Sequence, residues 1–180
     1  MIGKHIGPFL LQGDDPLMID AEHCATVRTE NTLMHALLLL SSVGFTSVPV
    51  LDESSRLAGV VGMPAIFKGI LGDDHYHWDQ LDLRKVKDVM ERNVSVVYTD
   101  SSLEDILHLL VNANYLCVTG RDGLFMGIIA RKQIIKRFNR LVHEFENHFR
   151  VCPLADEDPP HPRETRGAPG KLKKALPLER

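Results

Sequence analysis

Hydrophobic positions along the chain show two patterns in turn, the periodicity of an amphipathic helix and the short apolar stretches of buried strands. Apolar residues recur at i, i+3, i+4 and i+7 in residues 33–40 and again in 103–110, which predicts a helix with one apolar face in each place. Each predicted helix is followed by a short apolar stretch typical of a buried strand, at 46–50 and 115–118. Polar turn clusters at 52–55 and 120–123 then lead into second strands at 57–61 and 125–129. The pattern therefore predicts a helix and a β-hairpin twice over.

The two halves also match each other residue by residue. Residues 27–40 align with 97–110 at an offset of 70, and Gly44-Phe45 then falls opposite Asn114-Tyr115. After a shorter turn in the second copy, residues 59–62 fall opposite 127–130. Two copies are too few for a solenoid. We therefore expect an α-β-β-α unit repeated as a pseudo-two-fold pair around one shared core, in the α/β or α+β class.

The repeat divides the rest of the chain into segments. We assign 1–16 to an N-terminal segment, 17–71 to the first repeat, 72–84 to a polar linker and 85–138 to the second repeat. Apolar residues keep helical spacing from Ile134 to Phe149, which predicts a long amphipathic C-terminal helix over 131–150. Six of the ten prolines lie after Cys152. We expect 151–180 to form a disordered tail, because it buries too little apolar surface to offset chain ordering.

Composition narrows the class of protein. The chain has 180 residues, 44% of them apolar and 25% charged, as in globular proteins. Its net charge of −3 disfavours a dedicated nucleic-acid binder, and no apolar stretch approaches the ~20 residues of a membrane span. The N-terminus has no signal-peptide cleavage pattern. Three widely spaced cysteines, without a Cys-x-x-Cys motif, favour a reducing, cytoplasmic location.

Several motifs of the repeat occur in a familiar order. Ser47-Val48-Pro49-Val50-Leu51-Asp52, the Gly-Val-Val run at 59–61 and Val86-Lys87-Asp88-Val89-Met90 together resemble a pair of CBS domains over 17–141. The stretches 18–21, 35–38, 44–52 and 130–132 resemble, more specifically, the small stand-alone cyclic-di-AMP-binding CBS-pair proteins of Gram-positive bacteria. The resemblance implies a tandem CBS pair with pseudo-two-fold symmetry, in which helices pack small sheets.

The same resemblance implies a function without catalysis. Proteins of that kind are homodimers that, when free of ligand, bind and modulate a stringent-response or central-metabolism enzyme, and the nucleotide switches that contact off. We therefore expect cyclic di-AMP as the ligand and a regulated protein as partner. No cofactor, metal, catalytic residue, nucleic acid or membrane is expected.

Carried over by position, the resemblance places the nucleotide in three stretches of the chain. The residues are His23, Cys24 and Ala25 on a strand entering the first repeat, Phe45, Thr46 and Ser47 after its first helix, and Arg131 with Lys132 after the last strand. Three positions depart from the usual pattern. His23 stands where lysine is usual, Phe45 where tyrosine is usual, and Ala130 where threonine is frequent. Histidine carries less positive charge than lysine near pH 7, so affinity is affected more than the location of the site.

One argument for this site comes from the residues themselves. Arg131 and Lys132 begin the predicted last helix, where the macrodipole makes each cation unfavourable by ~0.3–1 kcal/mol. A phosphodiester bound to these cations and to free helix amides would remove that misfit. The alternative is a basic helix face, because Lys136, Arg137 and Arg140 follow.

Two other functions remain open. CBS modules that sense AMP, ADP or ATP often end each copy with a hydroxyl residue and an aspartate. This chain has Gly62 and Ala130 at the hydroxyl positions and Ala65 and Gln133 at the carboxylate positions, which disfavours mononucleotides. The second alternative is a metal-dependent enzyme that uses the histidines and aspartates of 73–79. A solvated loop explains those residues more simply, because metal ligands need rigid support.

Overall fold

The computed structural model describes residues 2–3, 5–12 and 15–149. The first repeat contributes β2 (Val27–Arg28), α2 (Leu33–Val43), β3 (Ser47–Leu51), β4 (Leu57–Gly62) and α3 (Met63–Ile70). The second contributes β5 (Val96–Tyr98), α5 (Leu103–Leu110), β6 (Tyr115–Thr119), β7 (Phe125–Ala130) and α6 (Arg131–His148). The predicted α-β-β-α plan is confirmed in both copies. The short leading strands β2 and β5, which the sequence pattern did not predict, run parallel to β3 and β6.

Local sequence explains where the repeated helices begin and end. Thr32 caps α2 by accepting a hydrogen bond from the amide of His35 (3.3 Å), and Ser102 caps α5 through the amide of Asp105 (3.1 Å). Gly44 ends α2 with φ of 67°, a conformation that costs glycine little. The chain can therefore turn directly from α2 towards β3 and the candidate site.

The apolar side chains form three clusters rather than the single shared core that we expected. One fills the first repeat around Val27, Leu33 and Ile66, and a second fills the other repeat around Val97 and Leu116. A third cluster joins residues of both repeats, namely Leu51, Cys117, Phe125 and Ile128. The helices of each repeat pack on the sheet of the same repeat, and the third cluster is where residues of the two repeats pack against each other.

Main-chain pairing also crosses between the repeats. β1 (Ile19–Asp20), in the segment that leads into the first repeat, pairs with β7 and completes a four-stranded sheet in the order β1-β7-β6-β5. Conversely, Glu91 leads into the second repeat and bridges Val60 of the three-stranded sheet β2-β3-β4. At Gly127, whose φ is 150°, a Cβ atom would lie 2.1 Å from the carbonyl oxygen of Ile19. A glycine is therefore required where β7 pairs with β1.

The segment His23 to Ala25 is not the strand that we expected. Ala21–His23 form a 3-10 turn, Cys24 follows in extended conformation, and both Cys24 and Ala25 lie outside any strand. The reason is that β1 ends at Asp20, where its pairing with β7 stops, and the chain must turn before β2 starts at Val27. His23, Cys24 and Ala25 nevertheless line the small cleft described below, as predicted for the strand.

The N-terminal segment contains a helix, α1 (Ile6–Leu11), that the sequence pattern did not indicate. Two arginines of α6 hold its C-terminal end. Arg137, only 7% exposed, donates to the carbonyls of Leu10 (2.6 Å), Gln12 (3.3 Å) and Asp15, and Arg140 donates to those of Phe9 (2.8 Å) and Gln12. These bonds satisfy carbonyls that a short helix leaves without partners. Part of the basic face of α6 therefore has a structural role.

The linker and the C-terminal region complete the description. The linker contains a short helix, α4 (Gln80–Leu83), which follows a turn. The predicted C-terminal helix is confirmed, and it ends at His148 rather than at residue 150. The tail 151–180 lies outside the described residues. None of the helices that the structure describes is long and apolar enough to cross a membrane.

Candidate functional site

Two adjoining clefts contain all eight residues singled out from the sequence. A small cleft of about 40 Å³ is lined on one side by His23, Cys24 and Ala25 and on the other by Phe45 and Ser47. A wide cleft of about 360 Å³ is lined by Phe45 and Thr46 and by the start of α6, Arg131 and Lys132. Phe45 and Tyr115 line both clefts. The fold thus brings together three stretches that are far apart in sequence, while their role in binding stays a prediction.

The small cleft has a well-defined thiol on its wall. The Cys24 Sγ lies 3.4 Å from the carbonyl oxygen of Ile19 and 3.3 Å from that of Asp20, so the thiol donates to the main chain of β1. Burial raises the pKa of this thiol, which keeps it protonated. Cys24 therefore acts as a hydrogen-bond donor that fixes the wall, and not as a reactive thiolate.

A pair of hydroxyl groups lies between the two repeats at this site. The Ser47 Oγ, at the start of β3, lies 3.1 Å from the Tyr115 Oη, at the start of β6. Burial raises the pKa of Tyr115 to about 12, so the phenol stays neutral at any ordinary pH. The pair can bind a ligand by hydrogen bonds but brings no charge.

Arg131 has partners inside the protein. Its Nε donates to the carbonyl of Ala113 (2.9 Å) and one Nη to that of Val111 (3.4 Å), just beyond the C-terminal end of α5. The carbonyl end of a helix attracts cations. The position of Arg131 at the start of α6 is therefore explained in part by α5, and a bound anion is not needed to account for it. The guanidinium has donors left over after these two bonds.

Lys132 differs from Arg131 in this respect. Its side chain is exposed and makes no hydrogen bond or ion pair with any residue that the structure describes. It lies beside the first turn of α6, where the helix macrodipole opposes a cation. Of the two cations predicted for the site, Lys132 is the one whose placement only an anion would improve.

The aromatic side chains suit a planar ligand. Phe45 is 44% exposed at the junction of the clefts, so it lines a surface and does not fill the core. Tyr115 faces the same junction from the other repeat. Tyr115 was not among the site residues predicted from the sequence. The repeat alignment could have indicated it, since Tyr115 falls opposite Phe45.

A third cleft, of about 350 Å³, occupies the corresponding place in the second repeat. Asn93, Val94 and Ser95 of this cleft take the positions that His23, Cys24 and Ala25 have in the first repeat. Among the described residues that line it there is no lysine or arginine, and Glu91 supplies a negative charge. The third cleft, with Glu91, and the wide cleft, with Arg131 and Lys132, are therefore opposite in charge.

A further cleft of about 360 Å³ lies along α6 and is lined by Lys136, Arg137 and Arg140. Its arginines already donate to the main chain of residues 9–15, and Lys136 pairs with Asp15. We assign these cations to the attachment of α1.

The histidines and aspartates of residues 73–79 are exposed at the surface. Within the described residues, no group of three or more histidine, cysteine, aspartate or glutamate side chains is placed to hold a metal ion. The His75 Nδ1 lies 2.5 Å from a carboxylate oxygen of its neighbour Asp74, and both side chains are exposed.

Comparison with known proteins places this geometry in a family. The model of the CBS domain matches residues 17–72 and 86–140, which is the extent of the two repeats. The chain belongs to the CBS domain family. The resemblance inferred from the sequence is confirmed, and the protein is a tandem CBS pair with two small sheets and packed helices.

Similar proteins include receptors for one nucleotide. Cyclic di-AMP receptor B of Bacillus subtilis is 32% identical over 123 residues, which cover 68% of this chain and 84% of that protein. CbpB of Listeria monocytogenes, solved in complex with c-di-AMP, is 38% identical with a TM-score of 0.66, covering 70% of this chain and 94% of that one. CbpB of Streptococcus agalactiae is 29% identical with a TM-score of 0.74, covering 85% and 96%.

Proposed function

We propose that the protein is a cytoplasmic, non-enzymatic sensor that binds cyclic di-AMP between its two repeats, in the two adjoining clefts described above. The observation that carries the proposal is the meeting of cationic and aromatic side chains at one junction, with Lys132 on one side and Phe45 and Tyr115 on the other. The wide cleft, at about 360 Å³, lies within the ~300–1,000 Å³ range of small-molecule sites. Relatives that bind this nucleotide support the choice of ligand.

The phosphate groups of the ligand fit the start of α6. Lys132 and the remaining donors of Arg131 provide charge. The Arg131 amide already donates to the carbonyl of Asn114 (2.8 Å), so the amides that follow it in the first turn of α6 provide the aligned N–H groups. A phosphodiester placed there relieves the unfavourable position of Lys132 beside the macrodipole. The third cleft has Glu91 and no described lysine or arginine among its lining residues, so we assign the nucleotide to the clefts beside Arg131 and Lys132 and not to the third one.

The bases fit the small cleft and the junction. Phe45 and Tyr115 offer aromatic surfaces for stacking. Cys24, Ala25 and Ser47 line the same space, and Ala25 lies outside any strand, so we expect main-chain groups of this stretch that are not already hydrogen-bonded to read the edge of an adenine. The small side chain of Ala25 leaves room for the base.

The proposed output is the control of a partner protein by a homodimeric sensor, as the resemblance implies. A nucleotide shifts the binding of a partner only by as much as it prefers the free sensor to the partner-bound sensor. If the partner binds the empty sensor, the ligand must therefore alter groups at or near the partner's face. The stringent-response or central-metabolism enzymes implied by the resemblance are the first partners to test.

Isothermal titration of the full chain with cyclic di-AMP, AMP and ATP at one ionic strength tests the ligand. We expect cyclic di-AMP to bind at least about tenfold more tightly than either mononucleotide, a difference of about 1.4 kcal/mol. The reason is that the two positions where a mononucleotide-binding repeat has an aspartate to hold free ribose hydroxyls are Ala65 and Gln133 in this chain. Equal or tighter binding of AMP or ATP would replace this proposal with an energy sensor.

A second titration addresses catalysis by the linker. The double variant His75→Ala/His77→Ala should bind cyclic di-AMP as the parent protein does, because neither histidine lines the adjoining clefts. Loss of metal uptake and of a nucleotide-degrading activity in this variant would instead support the metal-dependent enzyme.

A further inference from the structure

The linker between the repeats forms an ordered turn that carries exposed aromatic side chains. Leu71 pairs with Tyr76 across a tight turn, in which the Gly72 amide donates to the carbonyl of His75 (2.8 Å) and the His77 amide to that of Ile70 (2.8 Å). We name residues 71–83 the aromatic turn. Its hydrogen bonds define the turn within the linker, a segment whose composition predicts a polar loop or a short irregular turn.

Three aromatic rings support one another in and beside the aromatic turn. The Phe67 ring of α3 meets the Tyr76 and Trp78 rings edge to face at centroid distances of 5.9 and 6.4 Å, and Tyr76 lies 5.8 Å from Trp78. Although they are packed together, Tyr76 is 43% and Trp78 58% exposed. Leu71 and Leu83 are 56% and 68% exposed in the same segment. Tryptophan and tyrosine held rigidly at a surface are the residues that most often dominate binding energy in protein interfaces.

The charge of the aromatic turn indicates what it binds. Residues 71–83 contain four aspartates and no lysine or arginine, which is a net charge of −4 with neutral histidines. The aspartates are exposed, and they are Asp73, Asp74, Asp79 and Asp82. Arg84, the next cation along the chain, donates to the carbonyl of Gly69 and so holds α3 against the turn. A surface of exposed tryptophan and tyrosine among carboxylates is complementary to arginine and lysine side chains, through cation–π contacts and ion pairs.

We propose that the aromatic turn is a docking surface for a basic, amphipathic segment of a partner protein. A second copy of this chain is a poor occupant, because a two-fold contact would bring eight aspartates together in a self-complementary patch. Nucleic acid and anionic lipid are repelled by the same charge. The inference deepens the proposed function, since it names the face on which a regulated partner would bind.

A synthetic amphipathic peptide tests the surface directly. The probe is a fluorescein-labelled helical peptide that presents arginine and leucine on one face, and the full chain is titrated into it while anisotropy is recorded. Trp78 is the only tryptophan of the chain, so its emission reports independently on the same event with an unlabelled peptide. We expect saturable binding with a shift of the Trp78 emission. Binding without any change in that emission would place the peptide elsewhere and overturn the proposal.

Matched variants separate this surface from general attraction between opposite charges. Trp78→Ala and Asp79→Asn/Asp82→Asn should each weaken peptide binding by at least about fivefold, roughly 1 kcal/mol. The controls are Phe138→Ala, which removes another exposed aromatic ring from α6, and Glu53→Gln, which removes an exposed carboxylate from the β3–β4 turn. The controls should bind the peptide as the parent does. Equal loss in the controls, or none in the Trp78 variant, would contradict the proposal.

Two further measurements distinguish partner docking from nucleotide binding and from self-association of the chain. Cyclic di-AMP titrations of the parent and of the Trp78→Ala variant should give the same affinity. A failure of both proteins to bind the nucleotide would count against the proposed function alone, whereas a loss in the variant only would show that the aromatic turn is not separate from the nucleotide site and would overturn the proposal. Sedimentation of the same variant should show the parent's oligomeric state. A shift to a smaller species would show that the aromatic turn joins copies of this chain, and would overturn the proposal.

Discussion

The hydroxyl groups of Ser47 and Tyr115 lie 3.1 Å apart, although 68 residues separate them in the chain. Each begins the first strand of a hairpin, so the bond joins the start of β3 in one repeat to the start of β6 in the other. It also lies at the boundary of the candidate clefts, because both residues line the small cleft and the cleft of the second repeat. The contact between the repeats is therefore part of the site.

The first prediction removes this bond. Tyr115→Phe keeps the ring but leaves the half-buried Ser47 hydroxyl without its partner, so we expect a loss of about 0.5–1.5 kcal/mol in the free energy of unfolding. Urea denaturation measures the loss. Tyr98→Phe is the control, since Tyr98 is 42% exposed and its hydroxyl has no hydrogen bond to a described residue. A Tyr115 variant as stable as that control would show that the hydroxyl pair contributes nothing.

The second prediction concerns alkaline pH. Burial raises the pKa of Cys117 to about 12 from an ordinary value of 9.0. Below pH 9 the thiol is protonated in both the folded and unfolded chains. Above it, the unfolded chain loses the proton first, so the free energy of unfolding decreases as pH rises from about 9 towards 12. Each pKa unit of difference between the two states is worth about 1.4 kcal/mol.

Denaturation midpoints at pH 8 and pH 10.5, for the parent and Cys117→Ala, check this decrease. The variant is less stable at both values because it leaves a cavity, but its loss between the two pH values should be smaller than the parent's. Identical pH dependence in both proteins would contradict the assignment to Cys117.

The third prediction compares the two cations at the start of α6. Lys132→Ala should weaken cyclic di-AMP by at least about tenfold, the value of one charge-assisted hydrogen bond, with a stability change within ~0.5 kcal/mol. Arg131→Ala should weaken the ligand as well, but it should also destabilise the fold by about 1–2 kcal/mol, because the carbonyls of Ala113 and Val111 lose their donor.

Calorimetry and thermal unfolding measure the two effects separately. Lys68→Ala, an exposed lysine of α3 outside the clefts, controls for net charge at matched salt. If Lys132→Ala and Lys68→Ala bind cyclic di-AMP equally, the start of α6 is not the phosphate site.

The fourth prediction tests the small cleft. Ala25 is half-buried and lines a space of only about 40 Å³, so the larger side chain of Ala25→Leu should fill it and prevent base binding. We expect a loss of at least about 30-fold in affinity, roughly 2 kcal/mol. Ala25→Ser is the matched control and should bind nearly as the parent does, because it adds a single oxygen atom. Retained affinity in the leucine variant would remove the segment 23–25 from the site.

Much of this protein follows from its sequence alone. The spacing of Leu33, Ala36 and Leu40, and its recurrence at an offset of 70, determine the helices, the hairpins and their duplication, because a helix must present one apolar face to its sheet. The site residues were also accessible as a list, since they follow a family motif by position. Their common location was not, because a sequence pattern carries no distances between segments.

Only the tertiary structure decided how the repeats are joined and which partners the arginine side chains have. Pairing of Ile19 with Ile128 joins β1 to the edge of the β6–β7 hairpin, which is distant in sequence, and the chain turns out of the sheet at His23 to Ala25 where that pairing ends. Arg131 and Arg137 read as free cations in the sequence, yet both donate to carbonyls of distant segments. The physical reason is that periodicity reports which face of an element is apolar, whereas a hydrogen bond depends on where the packed elements bring donor and acceptor together.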